Sequence, residues 1–114
     1  MLNKMNKILD FVRENKEFDY SIYIREIKNE ITRIDLVLSF DTYKLEITYY
    51  SCIELKIIEY PDGNCLDEFI LDNVDFETIT EYLLLEQKTD KARQELISFR
   101  ALARQKIFWA LNKK

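Results

Sequence analysis

The spacing of apolar positions changes twice along the chain. Leu2, Met5, Leu9 and Val12, with Ile8 beside them, recur at helical spacing and predict a helix that ends near Asn15. From Phe18 the period becomes two. Phe18, Tyr20, Ile22 and Ile24 alternate with Asp19, Ser21, Tyr23 and Arg25, the pattern of a half-buried strand. Lys28-Asn29-Glu30 is the expected turn. Ile34 to Phe40, Tyr43 to Tyr49, and Ile53 to Ile57 repeat the alternation after short connections at Asp41-Thr42 and Ser51-Cys52. In YPDGN, residues 60–64, Pro61 presets φ and Gly63 can take a positive φ, so a hairpin to a fifth strand from Cys65 to Leu71 follows. Short connections between successive strands predict an antiparallel meander.

Helical spacing then returns. Asp72, Asn73 or Asp75 can cap a helix on which Phe76, Ile79 and Leu83 share a face. Lys88-Thr89-Asp90 reads as a break with a new cap, giving a last helix from Asp90 to Asn112. One helix across residues 75–112 is the alternative. On that last helix Ala92, Leu96, Phe99, Ala103, Ile107 and Ala110 form one apolar stripe, expected to pack on the sheet. The fold class is therefore α+β, in a single domain spanning 1–114: a meander of four or five strands with an N-terminal helix and two C-terminal helices on one face. A sheet with one apolar face needs helices to cover it.

Composition narrows the chemistry. One Gly in 114 residues leaves no glycine-rich phosphate loop. The absence of His, with only Cys52 and Cys65, argues against a structural zinc site and against Ser/His or Cys/His catalysis. The two cysteines are expected as small core residues rather than a disulfide. No stretch reaches the length of a membrane span, and the N-terminus lacks the apolar core of a signal peptide. Expected, accordingly, are a cytoplasmic location, no membrane, no cofactor, no metal and no enzymatic activity.

Charge sharpens the picture. Residues 16–88 hold 7 basic and 17 acidic groups, whereas residues 89–114 hold 7 basic and 2 acidic ones. The basic end concentrates Arg93, Arg100 and Arg104 in one ridge along the last helix, with Ile97 and Phe108 just beyond. Arginine suits planar contacts with carboxylate or phosphate. The ridge can therefore pair with the chain's own acids, dock on a protein, or hold nucleic acid. The acidic body opposes the last of these, because it repels phosphate.

The outward set of the strands includes Tyr23, Val37, Thr48, Tyr50, Ile58 and Tyr60. Tyrosine buries a large rigid surface while its hydroxyl stays satisfied, so Tyr23, Tyr50 and Tyr60 are candidates for a partner surface or a homodimer face. Strand propensity alone also places tyrosine there. Glu54-Leu55-Lys56, with Asp41 near another strand end, loosely resembles the PD-(D/E)xK nucleases, which use carboxylates to hold Mg²⁺. The resemblance covers three residues, lacks the proline, and recurs at Glu26-Ile27-Lys28. In general type the chain resembles the small α+β immunity proteins and phage-encoded inhibitors of bacterial defence. That likeness implies a non-catalytic binding protein that occupies a partner's surface. A nucleic-acid binder working through the basic helix is the second expectation, and an ExK nuclease the third.

Overall fold

The computed structural model describes the backbone of residues 1–111, and the side chains of residues 1–95 and of Ala101. Helix α1 spans Leu2–Glu14. Five strands follow: β1 (Tyr20–Ile27), β2 (Glu30–Ser39), β3 (Tyr43–Tyr49), β4 (Ile53–Glu59) and β5 (Cys65–Ile70). Helix α2 then spans Phe76–Leu111. The strands lie in one antiparallel sheet in the order β1-β2-β3-β4-β5, the expected meander.

Each connection has a local cause. Lys28 and Asn29 both take positive φ, 53° and 66°, so β1 and β2 are joined by a two-residue turn whose twist matches the strands. Gly63, at φ 72°, closes the turn before β5, and its N–H donates to the Glu59 carbonyl at 2.9 Å. β4 and β5 slip register between Ile57 and Ile58, and β1 and β2 between Arg25 and Glu26.

The core lies between the sheet and the two helices. Ile34, Leu36 and Leu38 of β2, Leu45 and Ile47 of β3, and Ile53 and Leu55 of β4 are buried. Met5, Ile8, Leu9 and Val12 of α1 cover them, together with Ile79 and Leu83 of α2. The cover is narrower than the sheet. Two helices, each about 10 Å across, shield the three central strands, whereas five strands span about 24 Å. Inward-facing Ile24 on β1 and Phe69 on β5 consequently remain 47% and 45% exposed. Cys52 is half-buried, Cys65 is exposed, and both are free thiols, so neither is the core residue that cysteine usage suggested.

The C-terminal half differs from expectation in two respects. First, α2 is one helix of 36 residues, not two. Thr89 and Asp90 cost only a few tenths of a kcal/mol each in a helix interior, and no Gly or Pro interrupts the stretch. Asp90 does not cap a new helix. Its carboxylate accepts from the Gln94 side chain at 3.0 Å, one turn on, and from the Asp41 N–H at 3.3 Å. The cap is Asp75, which accepts from the Thr78 N–H at 3.3 Å. That hydrogen bond holds the exposed Asp75 carboxyl below its ordinary value.

Second, Ala92 is exposed, not packed on the sheet. At about 100° per residue, Phe76, Ile79 and Leu83 fall within about 60° of one another. Position 92 falls about 170° from their centre, on the opposite side of α2, and the side chains of Leu96, Phe99, Ala103, Ile107 and Ala110 lie outside the described residues. Lys91, Ala92, Arg93, Gln94 and Glu95 complete a turn and are all exposed, as is Ala101. The sheet ends, and the helix continues: the described molecule measures 74 × 28 × 22 Å.

One tie locks the start of α2 to the rest. The Asp72 carboxylate accepts from the Ile53 N–H at 2.7 Å, at the start of β4. Lys4 of α1 donates to the Leu71 carbonyl at 2.6 Å and the Asp72 carbonyl at 3.1 Å. Replacing Asp72→Ala leaves a partly buried N–H unpaired and is expected to lower stability by about 1–2 kcal/mol in urea unfolding. Lys4→Met, which keeps the alkyl stem, is expected to cost less; an Asp72 variant as stable as the parent contradicts this account.

Candidate functional site

The face of the sheet turned away from the helices is built from alternate residues in register. One row runs Tyr23–Asp35–Thr48–Glu54–Ile70 and the next Ser21–Val37–Glu46–Lys56–Glu68. Side chains two apart on a strand share this face, and three strands place opposite charges at that spacing. Arg33 Nε lies 3.0 Å from Asp35 Oδ2, Lys44 Nζ 3.0 Å from Glu46 Oε1, and Lys56 Nζ 4.0 Å from Glu54 Oε1. The hydrogen bond and charge of Asp35 raise the Arg33 guanidinium above its ordinary value, and Glu46 does the same for Lys44. Both cations stay charged at any physiological pH.

Within this ladder lies an open depression of about 410 Å³. Tyr23 and Tyr60 stand on its rim, with Arg33, Asp35, Lys44 and Glu46 among the residues that line it. Tyr23 is 64% exposed and Tyr60 40% exposed. β1 positions Tyr23 directly opposite Asp35. Tyr60 follows β4, and its N–H donates to the Thr42 carbonyl at 2.9 Å. The Tyr60-Pro61 peptide is cis. Two of the three candidate tyrosines thus share one concavity.

Tyr50 does not line it. Its hydroxyl donates to Glu54 Oε2 at 2.8 Å. Hydrogen bonds with Cys52, and then with Glu54, raise the Tyr50 phenol well above its ordinary value. Glu54 is the one buried charged residue among those described, and Tyr50 and Lys56 are the groups that meet its two oxygens. The Glu54-x-Lys56 pattern is therefore occupied as an ion pair within the ladder. Asp41 lies in the β2–β3 turn, at the end of the sheet where the Thr42 carbonyl meets Tyr60, whereas Glu54 opens β4 at the other end. At about 3.3 Å per residue the two carboxylates are more than 15 Å apart. Among the described residues, no three of His, Cys, Asp and Glu converge on a metal-sized site.

Of the arginine ridge, Arg93 is exposed and enters none of the ion pairs found among the described residues. The side chains of Ile97, Arg100, Arg104 and Phe108 lie outside the described residues. Arg33, Asp35, Lys44 and Glu46 were missed as site residues. Their signal is the i, i+2 pairing of opposite charges, legible as R-x-D and K-x-E. No described helix is long and apolar enough to cross a membrane. No protein-family model matches the chain, and no curated protein and no solved structure matches it either.

Proposed function

We propose that the chain is a non-catalytic protein-binding module, of inhibitor or immunity type, that acts by occupying a partner's surface. The observation that carries this is the Tyr23–Tyr60 depression on the ion-paired sheet face. Its physical character favours protein over nucleic acid. Each cation in the depression already has a carboxylate within 3.0 Å, so a polyanion would meet as much repulsion as attraction. A protein surface carries both signs of charge and apolar groups, which such a mixed floor and aromatic rim can match. Tyrosines are among the residues that contribute most to interface affinity, and solvent-exposed ion pairs contribute little.

The test is a photo-crosslinking amino acid in place of Tyr60, followed by identification and reconstitution of the captured protein. With the purified partner, Tyr23→Ala and Tyr60→Ala are each expected to weaken binding by about 10- to 100-fold. Tyr20→Ala, on the opposite face, is expected to change it less than about threefold. Equal binding by parent and by the Tyr23/Tyr60 double variant would overturn the assignment of this face. A shift of DNA or RNA at low salt, abolished by Arg93→Ala, would favour the nucleic-acid alternative instead.

A further inference from the structure

We infer that the free edge of β1 pairs antiparallel with the same edge of a second copy of this chain, joining two five-stranded sheets into one. The pairing uses backbone groups at the rim of the sheet and does not rest on the protein-binding reading above.

The edge is unguarded. β1 ends the sheet and has β2 on one side only. The Asp19 carbonyl accepts from the Ser39 N–H at 2.9 Å, so Asp19 turns its backbone groups toward β2. That direction alternates along an antiparallel strand. Ser21 and Tyr23 therefore also bond to β2, whereas Tyr20, Ile22 and Ile24 present their N–H and C=O groups at the free edge. Proteins blunt such an edge with a charge, a proline or a bulge. The stretch from Tyr20 to Ile24 has no charge and no proline, and the bulge lies beyond it, after Arg25. The side chains of Tyr20 and Ile24 are exposed there.

Charge selects a second copy of β1 as the occupant. β5, the other edge, carries Asp67 and Glu68 and no base, so two copies of it would bring like charges together. β1 is complementary to itself. A two-fold axis at Ile22 sets Ile22 opposite Ile22 of the second copy, Tyr20 opposite Ile24, and Ser21 opposite Tyr23. Every edge N–H and C=O of Tyr20, Ile22 and Ile24 then has a partner. Asp19 falls opposite Arg25, a pair of opposite charges, and the Tyr20 ring covers the Ile24 side chain that the helices leave bare. An axis at Tyr23 keeps the hydrogen-bonding phase but sets Arg25 opposite Ser21 and Tyr20 opposite Glu26, and both favourable pairs are lost. Because the same edge serves both copies, the pairing closes at two chains.

So short a pairing belongs to the weak end of interfaces, and the mass of the full chain is followed by sedimentation equilibrium from about 10 to about 500 micromolar. The parent is expected to approach the mass of two 13.8 kDa chains and no more. Ile24→Pro removes an edge N–H that β2 does not use; it is expected to keep the circular dichroism of the parent and to stay a single chain throughout. Arg25→Glu, a surface change, is expected to weaken association about 3- to 10-fold, and Asp19→Lys added to it is expected to restore it. Register is read by oxidative crosslinking in a Cys52→Ser, Cys65→Ser background. Ser21→Cys mixed with Tyr23→Cys is expected to give a crosslinked pair, and neither alone is. A parent that stays monomeric at the highest concentration overturns the proposal, as does a mass that grows beyond two chains. So does a dimer that survives Ile24→Pro, an Arg25→Glu loss that Asp19→Lys does not restore, or a Tyr23→Cys chain that crosslinks to itself.

Discussion

Truncating Leu83→Ala is expected to cost about 3 kcal/mol of stability, whereas Leu84→Ala, the adjacent residue, is expected to cost less than about 1 kcal/mol. Leu83 is fully buried and Leu84 is 42% exposed. Both lie on the same turn of α2 and have the same helix propensity, so the difference isolates burial. Leu83 belongs to the same buried core as Leu45, Ile47, Ile53 and Leu55. Removing its branched end takes away transfer free energy and leaves a cavity that the close-packed sheet cannot collapse to fill. Urea unfolding of both variants at one fixed concentration checks the prediction. Similar losses in the two variants would mean that the first turns of α2 do not cover the sheet.

The contrast between Leu83 and Leu84 also shows where the sequence stops being legible. Period-two alternation located β1 to β4, because a half-buried antiparallel strand repeats its pattern every residue pair, and the YPDGN turn located β5. The N-terminal helix was legible for the matching reason: Met5, Ile8, Leu9 and Val12 all face one core. α2 was harder because its helical period supports two stripes on opposite sides. Phe76, Ile79 and Leu83 meet the sheet. The stripe that begins at Ala92 has the same helical spacing, yet Ala92 is exposed. Periodicity states that a face is apolar and does not state what covers it. Only the end of the sheet decides that, and the end of the sheet is a tertiary fact. The outer face was half legible. Tyr23 and Tyr60 could be placed there from alternation, but their convergence required the strand order, which leaves only β2 and β3 between Tyr23 on β1 and Tyr60 at the end of β4.

Raising the pH from about 10 to 12 is expected to destabilise the molecule, and two tyrosines at the α2–sheet contact supply the reason. Burial, with Glu86 beside it, pushes the Tyr82 phenol up to about 12 from its usual 10.0. Burial first, and then the hydrogen bond that its hydroxyl donates to Glu86, raise Tyr43 further still. A phenol is neutral when protonated, so a raised value means that the folded state holds the proton more tightly than the unfolded chain does. The stabilisation is therefore complete below about pH 10 and is lost as the pH climbs through the folded values. Together the two groups are expected to withdraw on the order of 2 kcal/mol by pH 12, after a discount for solvent reaching the half-buried Tyr82. Tyr43→Phe keeps the ring in the core and removes the ionisable hydroxyl. It is expected to be slightly less stable at neutral pH, having lost the bond to Glu86, and to lose less on going to pH 12. Thermal midpoints across that range, with tyrosinate absorbance followed in parallel, separate the two effects. A Tyr43→Phe variant whose midpoint falls as steeply as the parent's would place the alkaline weakness elsewhere than at this contact.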